Sequence, residues 1–177
     1  MDKCPSHEEK HLIELIKVKE TEKSVLRQLM ELYAYDFSEY DDADVNEHGL
    51  YGYTYFDYYW TEESRQPFFI RVDEKLAGFV LVNDYCYVVK APGTRSIAEF
   101  FVMRKYRKKG VGKSVAIQVF DRFPGMWEII QHGENEPSKE FWASVIRSYT
   151  NGNYRQEKAK TEWWEGQALI FDNSKGT

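Results

Sequence analysis

A chain of 177 residues, 42% apolar and 30% charged, is expected to fold as a single domain over 1–177 with a substantial core. Its formal net charge of −5 argues against a nucleic-acid partner, which calls for a basic surface. Two cysteines, Cys4 and Cys86, are too few for a disulfide framework; no apolar run approaches a membrane span, and the opening MDKCPSHEEKH holds no apolar signal segment, so a cytoplasmic protein with no membrane partner is expected.

In chain order, residues 1–10 read as a frayed start and 11–19 as a first strand. The stretch 21–35 carries apolar residues at 25, 26, 29, 30 and 33, which is helical spacing, with Thr21 as its N-cap. Residues 36–60 are rich in acids and rings, including six tyrosines, and hold a short helix near 53–60. Two strands, 67–72 and 76–82, are joined at Asp73-Glu74-Lys75, and the second extends toward Val89 through Cys86. After a turn at 91–94 come a strand at 97–103, a helix at 110–123 stopped by Pro124-Gly125, and a strand at 126–131. Pro137 opens another helix, whose buried face is Phe141, Trp142, Val145, Ile146 and Tyr149. The stretches 154–165 and 167–172 pair around Glu165-Gly166. This order mixes hairpins with one strand–helix–strand unit, so the fold class is α+β with a mixed, mainly antiparallel sheet flanked by helices.

The segment 97–113, IAEFFVMRKYRKKGVGK, carries most of the chemistry. An apolar strand leads into a basic turn, and from Val111 the apolar residues fall at 111, 115, 116, 119, 120 and 123. Unpaired N–H groups at a helix start, glycines that permit close approach and neighbouring cations form an anion site suited to a phosphate or pyrophosphate. The spacing G-x-G-K-S is not that of a P-loop, and Val115 stands where a dinucleotide fingerprint needs its third glycine. On the residues alone, a solvated basic turn remains open.

Arg107-x-x-Gly110-x-Gly112 between strand and helix resembles the signature of the GNAT superfamily of acyl-CoA-dependent N-acyltransferases. Locally it is most similar to the diamine (spermidine/spermine) acetyltransferases, which also show a carboxylate, Phe-Phe-Val-Met, Tyr-Arg and G-x-G in this order. Asn135-Glu136-Pro137-Ser138 followed by Phe141-Trp142 resembles a second motif of that family. The likeness covers 68–146. It implies a GNAT-like fold and acetyl-CoA as cosubstrate. Backbone N–H groups of Lys108, Lys109, Gly110, Val111, Gly112 and Lys113 would hold the pyrophosphate, with Arg107 and the lysines adding charge. It implies that the backbone of Phe101, Val102 and Met103 pairs with the pantetheine arm and stabilises the oxyanion, and that Asn135 and Ser138 contact the cofactor. Helix capping is the other reading of those last two.

Glu99 lies in phase with Ile97 and Phe101 on an alternating strand. A carboxylate on an apolar face is costly unless paired, protonated or functional, and burial raises its pKa toward the range of a general base. The resemblance implies a base here; a structural carboxylate bonded to a tyrosine or lysine is the other reading. Trp142 departs from the family, which often has a tyrosine acid at this point, because indole N–H is a donor only. Tyr149 and Tyr154 are candidate replacements. The segment 36–60 is either a pocket for a cationic amine or an aromatic cover over the sheet. The histidines have no metal-ligand spacing, and no metal is expected.

These readings converge on an N-acetyltransferase that moves an acetyl group from acetyl-CoA to a primary amine of a small molecule or peptide. The competing reading is a CoA-binding sensor or interaction module without turnover. A nucleic-acid module using RKYRKK is opposed by the acidic balance, and a homodimer is left open.

Overall fold

The computed structural model describes residues 11–160 and 165–174. The expected frayed start, with Cys4 and His7, lies outside them. The elements are β1 (Ile13–Lys17), α1 (Lys23–Asp41), β2 (Gln66–Val72), β3 (Lys75–Asn83), β4 (Arg95–Val102), α2 (Val111–Arg122), β5 (Met126–Ile130), α3 (Glu136–Tyr149), β6 (Arg155–Lys160) and β7 (Glu165–Asp172). Short 3-10 turns at Glu20–Glu22, Phe56–Trp60 and Arg104–Tyr106 join them. Among the described residues no helix is long and apolar enough to cross a membrane.

The seven strands form one sheet in the order β1-β2-β3-β4-β5-β7-β6. Every neighbouring pair is antiparallel except β4 with β5. β2 and β3 are near-continuous apolar runs because helices cover both faces of the sheet. Phe68, Ile70, Val80 and Val82 point to the side holding Val115, Phe120 and Trp142 of α2 and α3. Phe69, Phe79, Leu81 and Phe101 point to the other side, against Leu26, Leu29 and Met30 of α1. The α+β mixed sheet expected from the order of elements is the fold observed.

Several boundaries differ for physical reasons. Thr21 sits inside the 3-10 turn rather than at a cap, and the turn is closed by Lys19 N donating to Glu22 Oε2 at 3.1 Å. Helix α1 runs on to Asp41, where Asp42 at φ 53° turns the chain left-handed. β3 stops at Asn83; Tyr87, Val88 and Val89 instead donate their N–H groups to the carboxylate of Glu128. In the last hairpin Lys160 pairs with Glu165 and Ala159 with Gly166, so Glu165-Gly166 belongs to the strand.

β4 is irregular in two ways. Leu81 faces Glu99 but Val82 faces Ile97, so Ala98 is an extra residue in a β-bulge. The bulge breaks the alternation. Ile97 joins the α2 and α3 core, Phe101 joins the α1 core, and Glu99 no longer shares a face with Ile97 as plain alternation expects. On its other edge β4 pairs with β5 only at Arg95–Trp127 and Ser96–Glu128. Beyond Ser96 the two strands diverge, and that edge of β4 has no strand partner out to Val102. The opposite edge is closed tightly. A Cβ built on Gly78 would lie 1.9 Å from the Phe101 carbonyl oxygen, so only glycine permits β3 this approach.

Candidate active site

The fork between β4 and β5 leads to the start of α2. Here Lys108 and Gly110 take left-handed φ angles of 59° and 76°. Alternation of left- and right-handed residues turns successive N–H groups inward and makes an anion-binding nest. Among the described residues, no N–H from Lys108 to Lys113 donates to a protein acceptor; the first helical bond is Ser114 N to the Gly110 carbonyl at 3.0 Å. A helix N-terminus with free backbone donors thus opens here, and Lys108, Gly110, Gly112 and Lys113 of this turn line the groove described next. Gly112 has a packing reason, since a Cβ there would lie 3.1 Å from the Phe141 ring.

A groove of about 510 Å³ runs from this nest along the open edge of β4 to Trp142. Phe101, Val102, Arg107, Lys108, Gly110, Gly112, Lys113, Asn135 and Ser138 all line it. The other expected cofactor residues do not. Lys109 is exposed, Val111 is 1% exposed in the core, and Met103 packs beneath the strand with its N–H on the Ala77 carbonyl at 2.8 Å. Asn135 also caps α3, its Oδ1 accepting from Ser138 N at 3.0 Å, so capping and groove lining coexist. Arg107 is not a free cation: its Nη2 and Arg104 hold Asp36 of α1, and its Nε donates to the Val102 carbonyl at 2.6 Å. Burial works against the charge of Asp36, yet hydrogen bonds from Arg107 and Arg104 keep its carboxyl below the usual range.

Two further cavities, about 440 Å³ and 260 Å³, meet at Glu99. The larger is framed by α1, the 51–53 stretch and the start of α3; the smaller by Tyr55, Arg65, Tyr85 and Tyr87. Glu99 is half-buried. Tyr33 Oη of α1 donates to Glu99 Oε2 at 2.6 Å. Burial pushes the Glu99 carboxyl up to about 7, helped by the charge of Asp41, while hydrogen bonds from Tyr33 and Tyr53 pull it down. The phenols of Tyr33 and Tyr53 are raised in turn, first by burial and then by the charge of Glu99.

Tyr149, expected as a candidate acid, is placed outside the residues that line these cavities. Its hydroxyl donates to Asp121 Oδ1 at 2.8 Å and accepts from Asn173 Nδ2 at 3.2 Å, over the rings of Phe120 and Phe171. It lies about two turns beyond Trp142 on α3, and neither it nor Tyr154 lines the three cavities. Trp142 lines both the groove and the larger cavity and is 4% exposed. Its indole packs edge-on against Phe100 and Phe141.

Three participants escape the sequence reading. Tyr33 falls on the buried stripe of α1 and counts there as an apolar residue; a hydroxyl on that stripe was the signal. Asp36 and Glu128 look like solvated charges, because their partners are far away in sequence.

A sheet opened at a parallel pair, with a glycine-started helix at the mouth and a carboxylate inside, is the GNAT fold. The model of the acetyltransferase (GNAT) family matches residues 26–145, and the chain belongs to that family. No curated protein matches it in sequence. Among solved structures, an acetyltransferase from Thermus thermophilus is similar at TM-score 0.66 and 10% identity, covering 90% of this chain and 96% of that one. Aminoglycoside acetyltransferase AAC(6')-Ib in complex with coenzyme A gives 0.65 and 13%, covering 91% and 95%. Spermidine N-acetyltransferase from Vibrio cholerae, in complex with CoA and spermine, gives 0.60 and 10%, covering 92% and 96%. At these identities the likeness is one of fold.

Proposed function

We propose that this protein transfers an acetyl group from acetyl-CoA to a primary amine of a small molecule or peptide, with Glu99 as general base. One observation carries the reading: a half-buried carboxylate, hydrogen-bonded to Tyr33, stands on the same open strand that leads to the glycine-started turn at the mouth of α2. The nest at 108–113 suits a pyrophosphate, and the unpaired edge of β4 suits an extended amide-bearing arm. Acetyl-CoA would supply the thioester. The fork then orients that ligand against the amine, which supplies much of the rate. Glu99 accepts the proton from the attacking nitrogen, and N–H groups on the free edge of β4 stabilise the oxyanion. Asp41, Asp44 and the rings of Tyr51 and Tyr53 around the larger cavity favour an acceptor that carries positive charge. That one structural neighbour was solved in complex with coenzyme A, and another with CoA and spermine, supports the reading of a CoA cosubstrate and an amine acceptor.

The test is calorimetric titration with CoA and acetyl-CoA, followed by a panel of primary amines with detection of released thiol. CoA binding without release of thiol from any amine would favour the sensor reading. Gly110→Glu separates binding from chemistry. It puts a carboxylate into the nest at a left-handed φ and should weaken acetyl-CoA binding at least tenfold, about 1.4 kcal/mol. An unchanged affinity in a folded variant removes the nest from the cofactor site.

A further inference from the structure

The leaving thiolate needs a proton, and the place of the family's tyrosine acid is taken by Trp142. The groove and the larger cavity have six lining residues in common: Tyr33, Phe37, Phe100, Asn135, Ser138 and Trp142. Any group that serves both the amine and the sulfur must stand where these two spaces join. Of the six, only Tyr33 carries a titratable group. Its hydroxyl is also hydrogen-bonded to Glu99 at 2.6 Å. We propose that Tyr33, on α1, is the proton donor to the leaving sulfur and is recharged by Glu99.

This inference rests on the acetyl-transfer reading. The balance is closed within the site. The amine nitrogen forms a bond to the acetyl carbon and loses a proton to Glu99. The carbon–sulfur bond breaks, its electron pair stays on sulfur, and the Tyr33 hydroxyl gives that sulfur its proton. The phenolate so formed takes the proton held by Glu99, across the same 2.6 Å hydrogen bond. One proton has moved from nitrogen to sulfur, and both residues return to their starting states. The order of events has an electrostatic reason. While Glu99 is ionised its charge adds to burial in holding the phenol proton in place. Once Glu99 has been protonated by the amine, the part of that hold due to its charge is released while burial remains, and Tyr33 becomes a stronger acid than before when the sulfur needs one. Tyr53, which also faces Glu99, does not line the cofactor groove, so it can modulate the carboxylate but not reach the sulfur.

The experiment compares the parent with Tyr33→Phe in single turnovers, with spermine, kanamycin and n-butylamine as probe amines. Two acyl donors are used: acetyl-CoA and its oxyester analogue, in which oxygen replaces the thioester sulfur. Enzyme concentrations are set to resolve the slower donor. The expected result is a loss of about tenfold or more with acetyl-CoA and a CoA affinity within twofold of the parent. With the oxyester the loss should be at least ten times larger again, because an alkoxide leaves far less readily without a proton. Equal losses with both donors would reduce Tyr33 to a positioning residue for Glu99 and overturn the proposal, as would a variant as fast as the parent. A parent that binds CoA but acetylates none of the amines overturns the acetyl-transfer reading itself, and this inference with it.

Discussion

Glu99→Gln is expected to lower kcat/KM by at least a hundredfold at pH 8, within the range for loss of a general base, while CoA affinity stays unchanged. Glutamine keeps the shape and accepts the Tyr33 hydrogen bond, but it cannot take a proton. With the parent carboxyl at about 7, the base is protonated below that pH, and the rate should fall tenfold per unit on the acidic side. The variant should show no such limb. Other groups around the carboxylate do not confuse the assignment. Tyr33 and Tyr53 are raised and hold their protons through this window, and Tyr59, at about 12, does so too. Stability should move the opposite way from activity. A folded-state pKa above the ordinary 4.5 means that stability present below pH 4.5 is lost as pH rises toward about 7, and the penalty is complete above it. Glu99→Gln escapes this loss and should melt higher than the parent at pH 8, with the two closest below pH 4.5. A variant that is slower yet more stable marks a group retained for chemistry. Thermal melts and pH–rate profiles from pH 5.5 to 9 read both effects. A parent profile that is flat on the acidic side would return Glu99 to a structural role.

What the sequence discloses follows from how local each feature is. The strand, turn and helix of 97–113 depend on neighbours within a few residues, so the nest and its glycines are legible from spacing alone. The opening of the fork is not. It depends on how β4 and β5, joined at only two residue pairs, sit within the sheet, and here only the family resemblance supplied the expectation. Alternation placed Ile97 and Glu99 together because it assumes an unbroken strand; one inserted residue, Ala98, separates them. Tyr33 shows a different limit. Periodicity scores a residue as buried or exposed, and a phenol on the buried stripe of α1 passes as an apolar ring. Its hydroxyl matters only because Glu99 stands opposite, 66 residues away. Tyr149 shows the converse: periodicity puts it on the same face of α3 as Trp142, but about two turns further along, where it is not among the residues lining the cavities.

Glu128→Ala should be the most destabilising of these substitutions, by about 3–5 kcal/mol, although Glu128 touches no reacting group. The side chain is 0% exposed on β5. Its two oxygens accept three backbone N–H groups: Tyr87 at 2.6 Å, Val88 at 3.0 Å and Val89 at 2.7 Å. No strand or helix satisfies those donors, because the chain between β3 and β4 is irregular. Alanine removes the carboxylate from all three half-buried donors and leaves a void on β5, and a donor that loses its partner costs about 1–3 kcal/mol before water relieves part of it. Glu128→Gln should cost less, about 1–3 kcal/mol, because one amide oxygen still accepts, but its NH2 must face an N–H in place of an oxygen. The functional consequence follows from what the loop carries. Tyr85 and Tyr87 wall the smaller cavity at Glu99, while the nest and the groove lie on other elements. Glu128→Gln should therefore raise KM for the amine and leave acetyl-CoA affinity within twofold of the parent. Urea unfolding reads the first effect and steady-state kinetics the second. A Glu128→Ala protein within 1 kcal/mol of the parent would mean that the loop holds its shape without the carboxylate, and an equal rise in both KM values would mean that the smaller cavity is no part of the acceptor site.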